Sequence, residues 1–278
     1  MRAIIFSCFF CLLANVASGI PLLQYRFNET GTTATNSGTA SATLQFSNSA
    51  GNLDLHSADG GGVSGLPGDR AFDNSASTAM GSAGVGGKGE QAHVADTDDL
   101  KSLTLQGWFN AQEVIDNVAR IVDNQIGNTS FLILGSAGGL NFEINNVSSK
   151  AGSFGDVGTW VFFAVTYDGT TSTNNVHFYK GTRTSAVALV STGSLSTGTA
   201  LGNTSPLEIG NWHDTWDRPF DGLLDDLRVY GAKSDASGVL SLSELESLRT
   251  QDILNVPEAS GAGILFVSIA ALASRKRR

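Results

Sequence analysis

The chain has 278 residues and a formal net charge of −9, with 17 Lys and Arg against 26 Asp and Glu. An acidic balance of this size argues against the basic surface that nucleic-acid binding requires. Charged residues make up only 15% of the chain while glycine supplies 33 residues, which argues against a charged helical bundle and against disorder driven by net charge. We therefore expect a turn-rich, mostly β globular body.

The first 18 residues have the layout of a secretory signal peptide. A positive start is followed by an apolar run over 4–14 and by small residues before a cut after Ser18. The run is shorter than the ~20 residues that a membrane-spanning helix needs, so we prefer a signal peptide over an anchor. Both cysteines, Cys8 and Cys11, lie in this segment, so the predicted mature protein has no thiol for a disulfide, a zinc site or a nucleophile.

Residues 19–250 are predicted to form one domain, and 251–255 a linker. Short runs rich in Val, Ile, Phe, Tyr and Thr are separated by clusters of Gly, Asn, Ser and Asp, and each run has the length of one strand. Eleven such runs predict two packed antiparallel sheets, with a closed barrel as the alternative. The runs cover 22–27, 43–46, 103–109, 119–123, 130–134, 140–144, 160–167, 176–180, 186–190, 207–210 and 222–230.

Alternation within the runs predicts which face of each strand is covered. In 103–109 the leucines share one face, and Thr104, Gln106 and Trp108 lie on the other, which we expect to be wet. The run 160–167 is apolar almost throughout, which indicates a strand covered on both sides. In 222–230 the same alternation places Asp225 inside the sandwich and Asp226 outside it.

One short amphipathic helix is predicted near the end of the domain. Ser243 with Glu246 three residues later forms a capping-box pattern, and Leu245 and Leu248 would face inward.

Several segments, taken in order, resemble the laminin G-like, concanavalin A-like jelly-roll family of secreted bacterial proteins. The resemblance implies an all-β, two-sheet antiparallel jelly-roll sandwich. Its most specific part is the closing block Arg-Pro-Phe-Asp-Gly-Leu-Leu-Asp-Asp-Leu-Arg-Val-Tyr over 218–230. The other segments are 25–33, 71–74, 103–110, 160–169 and 207–211.

Catalysis is not predicted. Endoglucanase relatives on this fold use a strand with Glu-x-Asp-x-x-Glu, which sets two carboxylates about 5 Å apart, and no such strand occurs here. A Gly-x-Ser-x-Gly elbow is also absent from the sequence, so a serine triad has no support. A glycoside hydrolase of the same fold is kept as an unfavoured alternative.

A polar loop with two indoles is the predicted carbohydrate-binding site. Indole faces stack on the C–H surfaces of sugars, and neighbouring Asp, His and Arg side chains pair with hydroxyls. The alternative is that the tryptophans only cover the sandwich edge. The candidate residues are Trp212, His213, Asp214, Trp216, Asp217 and Arg218.

A structural Ca²⁺ is the one cofactor considered. Asp225 among leucines needs hydrogen-bond donors or a cation, and Asp73 and Asn74 on a nearby loop would add oxygen ligands. Family members with a structural calcium motivate this set. Hydrogen bonding to backbone amides or to an arginine is the alternative.

The last 23 residues closely resemble the PEP-CTERM sorting signal of Gram-negative bacteria. Val256, Pro257 and Glu258 are in place, Ala259 replaces a second proline, and an uncharged run over 261–273 precedes the basic residues Arg275, Lys276, Arg277 and Arg278. The basic cluster would stay cytoplasmic by the positive-inside rule. The resemblance implies a transient inner-membrane anchor that an exosortase-type enzyme cuts, and an uncleaved anchor is the alternative.

The sequence thus predicts an exported, non-catalytic carbohydrate-binding or adhesion protein, sorted to the cell surface or an extracellular matrix. Its expected partners are a polysaccharide or surface glycan, the export machinery and the sorting enzyme. A structural exopolysaccharide-matrix protein without a discrete ligand site is the main alternative.

Overall fold

The computed structural model describes residues 19–76, 86–115, 118–126, 128–212 and 216–255. The predicted signal peptide and the sorting segment 256–278 lie outside these residues. Sixteen strands and one α-helix, α1 (Leu242–Ile253), make up the described part. The strands are β1 Leu23–Tyr25, β2 Thr33–Thr35, β3 Thr43–Asn48, β4 Gly51–Asn52, β5 Phe72–Asp73, β6 Lys88–Gln91, β7 Ser102–Ala111, β8 Arg120–Ile126, β9 Asn128–Ser136, β10 Gly139–Ile144, β11 Val147–Ala151, β12 Val161–Asp168, β13 Val176–Thr182, β14 Ala188–Gly193, β15 Leu207–Ile209 and β16 Gly222–Ala232.

The strands form two antiparallel sheets, which confirms the predicted jelly-roll sandwich. The seven-stranded sheet runs β1-β16-β7-β12-β13-β14, with β5 pairing with β16. The nine-stranded sheet runs β11-β10-β9-β8-β15-β6-β3-β2, with β4 pairing with β3. Neighbours such as β7 and β16 are far apart in sequence, so the sheets are held together by long-range pairing.

The main core lies between the two sheets. Phe46 from the nine-stranded sheet and Phe109 and Phe163 from the seven-stranded sheet are fully buried in it. Strand period 2 places these side chains on the inner faces, and burying each stabilises the fold by about 1.5–3 kcal/mol.

A second apolar cluster covers the outer face of the seven-stranded sheet. Helix α1 lays Leu245 and Leu248 against Trp108 and Phe162 there. Both faces of β12 are therefore buried, as its apolar sequence predicted. The prediction of a wet face carrying Trp108 was wrong, because alternation within one strand does not reveal a helix that arrives from about 130 residues later.

The N-cap of the helix lies two residues before the predicted one, Ser243. Ser241 is the N-cap, and it forms the capping box with Glu244. Glu246, the expected partner of Ser243, instead accepts hydrogen bonds from Arg249 and from the backbone of Val187. The helix continues to Ile253, so most of the predicted linker 251–255 belongs to the folded body.

A β-bulge in β16 reverses the predicted direction of Asp225. The register against β7 shifts between Asp225 and Arg228, and Asp226 adopts a positive φ of 46°. Because a bulge adds one residue to the alternation, Asp225 lies on the outer face opposite Trp108, while Leu227 still enters the core.

Among the described residues, no helix has the length and apolar character needed to cross a membrane.

Candidate functional site

The outer face of the nine-stranded sheet carries a row of carboxylates. Glu90 on β6 lies opposite Glu208 on β15, which in turn lies opposite Asp123 on β8. The row continues through Leu132 on β9 to Glu143 on β10. Directly paired side chains in an antiparallel sheet have Cβ atoms about 4.5–5.5 Å apart, so the topology concentrates acidic groups that are scattered in the sequence.

Lys88 neutralises one end of this row. Its Nζ lies 3.0 Å from Glu208 Oε1 and 2.7 Å from Glu90 Oε2. Glu208 is 1% exposed, and burial raises its pKa to about 8, against the opposing effect of Lys88. The pair is buried because the indole of Trp216 covers it, with Lys88 Nζ 4.8 Å from the ring centroid.

Arg120 and Asp123 form a second buried pair beside the first. Arg120 Nε lies 2.8 Å from Asp123 Oδ2, but the direction of its N–H misses the carboxylate, and both Asp123 oxygens lack a hydrogen bond from any described residue. Burial raises the pKa of Asp123 to about 6, although Arg120 acts in the opposite direction. Burying a carboxylate beside an imperfectly aligned partner is costly, and this cost agrees with the raised pKa of Asp123.

An open groove of about 540 Å³ lies on the same face, over β8 to β11. Asn141 and Glu143 project into it from β10, and Lys150 from β11. Glu143 Oε1 accepts hydrogen bonds from Asn141 Nδ2 and Ser148 Oγ, each at 2.9 Å. Asn141 is nearly fully buried, yet its Oδ1 accepts no hydrogen bond from the described residues. The remaining lining residues are Val118, Arg120, Gln125, Leu134, Gly135, Ser136, Ala137, Ser148 and Arg218.

The indole loop is fastened at its base by Asn211. The side-chain oxygen of Asn211 accepts hydrogen bonds from the backbone N–H of Trp212 at 2.8 Å and of Arg218 at 3.0 Å. Its amide nitrogen donates to the carbonyl of Gly86 at 3.4 Å. One fully buried side chain therefore holds both ends of the loop beside the groove.

Each indole of the loop contacts a cation on one face. The guanidinium carbon of Arg218 lies 3.9 Å from the centroid of the Trp212 ring, and Trp216 lies over Lys88. Such cation–π contacts hold both partners in place. Arg218, one of the predicted site residues, lines the groove. The carboxylate oxygen Oδ1 of the adjacent Asp217 lies 3.8 Å from Arg218 Nε.

Two predicted site residues, His213 and Asp214, lie outside the described residues. The groove residues Arg120, Asn141, Glu143 and Lys150 were not predicted. They occupy alternate positions of strands, and a single sequence does not show that those strands are neighbours in one sheet.

The predicted calcium ligands already have other partners. The two oxygens of Asp225 accept backbone N–H groups of Val63 at 2.8 Å and of Asp226 at 2.7 Å. Asn74 Oδ1 accepts from Gly87 N at 2.6 Å, and Asp73 Oδ1 accepts from Ser75. The described ranges contain no cluster of three or more His, Cys, Asp or Glu suited to a metal ion. The bonds of Asp225 match the alternative of backbone hydrogen bonding, and calcium at these residues stays a prediction.

Comparison with known proteins identifies one matching family. A family model described as the concanavalin A-like lectin/glucanases superfamily (Laminin_G_3) matches residues 86–239. This range includes β6 to β16 and thus the whole groove. No curated protein sequence matches the chain.

Solved structures with the same fold are distant in sequence. The binding domain of botulinum neurotoxin DC, solved with rat synaptotagmin II, is 12% identical with a TM-score of 0.54 over 85% of this chain. The match covers 52% of that chain, so this protein spans about half its length. Domain 4 of the extracellular GH43 arabinanase AbnA from Geobacillus stearothermophilus, in complex with arabinotriose, is 15% identical with a TM-score of 0.50, over 84% of this chain and 99% of that one.

A hydrolase is also among the similar structures. A GH54 α-L-arabinofuranosidase, soaked with a cyclic sulfate inhibitor, is 12% identical with a TM-score of 0.53, over 87% of this chain and 60% of that one. At such identities the likeness establishes the fold alone.

Proposed function

Because the chain belongs to the concanavalin A-like lectin/glucanases superfamily, we propose that it binds carbohydrate, without catalysis, through the groove over β8 to β11 and the adjoining indole loop. The observation that carries the proposal is the open groove of about 540 Å³ itself, which is lined by polar and charged side chains of one sheet. Sugar hydroxyls donate and accept hydrogen bonds, so a lining of this kind can pair with them. The arabinanase domain with the same fold has arabinotriose bound, which supports a saccharide as the ligand.

The groove has the mixed character that sugar binding requires. Leu134 and Val118 provide apolar surface for C–H groups, and Gln125, Ser136 and Ser148 provide hydroxyl and amide groups. Polar groups placed on a rigid sheet fix the orientation of a ligand, while apolar contacts exclude water from it.

A panel of soluble oligosaccharides, screened by titration calorimetry, tests the proposal. Replacing Asn141 with Ala removes an amide from the groove lining and a hydrogen-bond donor from Glu143. A loss of about 1 kcal/mol is expected, so affinity should fall about five-fold. The matched control is Asn52→Ala, an exposed asparagine on β4 at the other end of the sheet, which should bind as the unmodified protein does. Equal binding by both variants would remove the groove from consideration.

A double variant, Trp212→Ala with Trp216→Ala, tests the indole loop separately. We expect binding to be lost, because Arg218 and Lys88 then lose the rings that hold them. A screen without any ligand, combined with retention of the protein in extracellular polymer fractions, would instead favour a structural matrix protein without a discrete site.

Glycoside hydrolysis is a second candidate, favoured by the opposed carboxyl groups of Asp123 and Glu208. Retaining hydrolases need two carboxyl groups about 5–5.5 Å apart, and a raised pKa keeps one of them protonated as the acid. Both side chains are almost completely buried, however, and neither lines the groove. Release of reducing ends from arabino- and gluco-oligosaccharides by the unmodified protein, abolished by Asp123→Asn, would establish this function over binding.

We also propose that the protein is exported and sorted to the cell surface or matrix of a Gram-negative bacterium. The support is the sequence of the two termini alone, 1–18 and 256–278, which lie outside the described residues. Mass spectrometry of the C-terminus in membrane, surface and medium fractions tests this. A mature chain ending near Glu258 outside the inner membrane is expected, and an intact C-terminus in every fraction would contradict the sorting step.

A further inference from the structure

We propose that the groove selects acidic carbohydrate, binding the carboxylate of a uronic acid between Arg218 and Lys150. This inference rests on the proposed function and names the ligand class of the same site. It starts from the charges that face the groove. Three cationic side chains line it, Arg120, Lys150 and Arg218, against one carboxylate, Glu143, in a chain of net charge −9.

The one carboxylate is hydrogen-bonded to neutral neighbours and keeps its charge. Glu143 Oε1 accepts hydrogen bonds from Asn141 and Ser148, and this contact orients the Asn141 amide so that its nitrogen faces Glu143. The Asn141 oxygen, at the other end of the amide, is buried and accepts no hydrogen bond from the described residues. Lys150 and Arg218 thus stand against one carboxylate in the lining of the groove.

The cations retain their capacity to bind an anion. Lys150 is exposed on β11, and its side-chain ammonium makes no ion pair or hydrogen bond within the described residues. Arg218 stacks the face of its guanidinium on Trp212, while its N–H donors lie in the guanidinium plane, where a carboxylate binds in a bidentate manner. The side chain of Arg218 is 29% exposed, so these donors are accessible.

Arg120, at the floor of the groove, already has a counterion. Its Nε lies 2.8 Å from Asp123 Oδ2, so an anionic ligand would meet the charges of Lys150 and Arg218 before that of Arg120. Burial lowers the pKa of Arg120, Asp123 acts in the opposite direction, and the charge of Arg218 lowers it.

The acidic remainder of the chain does not prevent this selection. Charges separated by more than about 8 Å are largely screened at physiological ionic strength. The potential of the groove is therefore set by its lining residues and by their close partners, Asp123 beside Arg120 and Asp217 beside Arg218. Electrostatic complementarity of this kind contributes mainly specificity and association rate.

The experiment compares one uronic-acid oligosaccharide with its carboxyl-reduced, neutral counterpart, by titration calorimetry on the unmodified protein. The acidic ligand should bind more tightly than the neutral one. Adding 0.5 M NaCl should reduce this difference in affinity, because salt screens the charges. Lys150→Gln should weaken binding of the acidic ligand about two- to five-fold, the range of one exposed ion pair, and leave the neutral ligand unchanged. The control Lys233→Gln changes an exposed lysine whose Nζ donates to the carbonyl of Ala95, and it should alter the affinity for neither ligand.

The outcomes separate this inference from the proposed function. Equal affinity for the acidic and the reduced ligand, or the same loss with both in Lys150→Gln, would overturn charge selection while carbohydrate binding stands. If a sulfated oligosaccharide binds more tightly than a uronic-acid oligosaccharide, the recognised group is a sulfate ester and the proposal of a carboxylate ligand is overturned. Absence of binding to all these ligands would overturn both proposals.

Discussion

Arg228 and Asp252 form a bidentate ion pair from which solvent is fully excluded. Arg228 Nη2 donates to Asp252 Oδ1 at 2.7 Å and Nη1 donates to Oδ2 at 3.2 Å, and both side chains are 0% exposed. Trp108 Nε1 donates to the same carboxylate at 2.9 Å. The last turn of α1 is therefore fastened to β16 and β7 at the centre of the seven-stranded sheet.

Replacing Asp252 with Ala is expected to destabilise the protein by about 3–5 kcal/mol. The change leaves the guanidinium of Arg228 buried without its main counterion, and breaking a buried pair costs this much. Urea denaturation followed by tryptophan fluorescence measures the free energy of unfolding.

Thr250→Ala is the control in the same helix, since Thr250 is exposed and surface changes usually stay within about 0.5 kcal/mol. If the two variants unfolded at the same urea concentration, the ion pair would not be the contact that holds the helix.

Stability should fall as the pH rises from about 5 to 8. Burial raises the pKa of Asp123 to about 6 and of Glu208 to about 8, whereas in the unfolded chain such groups titrate near 4. Between those values the folded state binds more protons than the unfolded state, so the free energy of unfolding decreases with increasing pH. Urea midpoints measured at pH 5, 6, 7 and 8 test this.

Glu208→Gln should flatten that dependence by up to about 1.4 kcal/mol per pH unit, the contribution of one titrating group. The control Asp96→Asn alters an exposed carboxylate. If the free energy of unfolding falls as steeply with pH in Glu208→Gln as in the control, Glu208 does not cause the pH dependence.

The fold could be predicted from sequence wherever a strand carries its own apolar pattern. Every predicted run overlaps an observed strand, and β12 is buried on both faces as expected. The missed strands are short or polar. Strand β6, with the sequence Lys-Gly-Glu-Gln, has no apolar signal, because its burial depends on the Lys88–Glu208 pair and on Trp216 above it.

The candidate site was only partly predictable for a related reason. The composition of 212–218 identified the indole loop, but the groove beside it is assembled from β8, β9, β10, β11 and the loop. Asp123 and Glu208 are 85 positions apart and become neighbours only through the β8–β15 pairing. The sequence around Asp226 likewise contains no pattern that predicts a bulge. This bulge places the side chain of Asp225 on the outer face of the sheet.

Chelation of divalent cations should leave the melting temperature unchanged. The oxygens of Asp225 and Asn74 are already hydrogen-bonded to backbone N–H groups, so these oxygens keep their donors in the absence of calcium. The melting temperature is measured by scanning calorimetry with about 5 mM CaCl₂ and with EDTA. A Ca²⁺ site of ordinary affinity would be loaded in the first solution and emptied in the second. A decrease of several degrees in EDTA would revive a structural calcium site at these residues or elsewhere in the chain.

Replacing Asn211 with Ala should abolish carbohydrate binding at a moderate cost in stability. The change removes the acceptor shared by the backbone N–H groups of Trp212 and Arg218, and unpaired buried donors cost about 1–3 kcal/mol. The loop is then no longer held against the groove, and the guanidinium of Arg218 loses its fixed position. The control is Asn203→Ala, which removes a similar acceptor for the N–H of Ser205 away from the groove. Both variants should unfold at lower urea concentration, but only Asn211→Ala should fail to bind at a temperature where both are folded. Full affinity in folded Asn211→Ala would show that the loop is not part of the binding site.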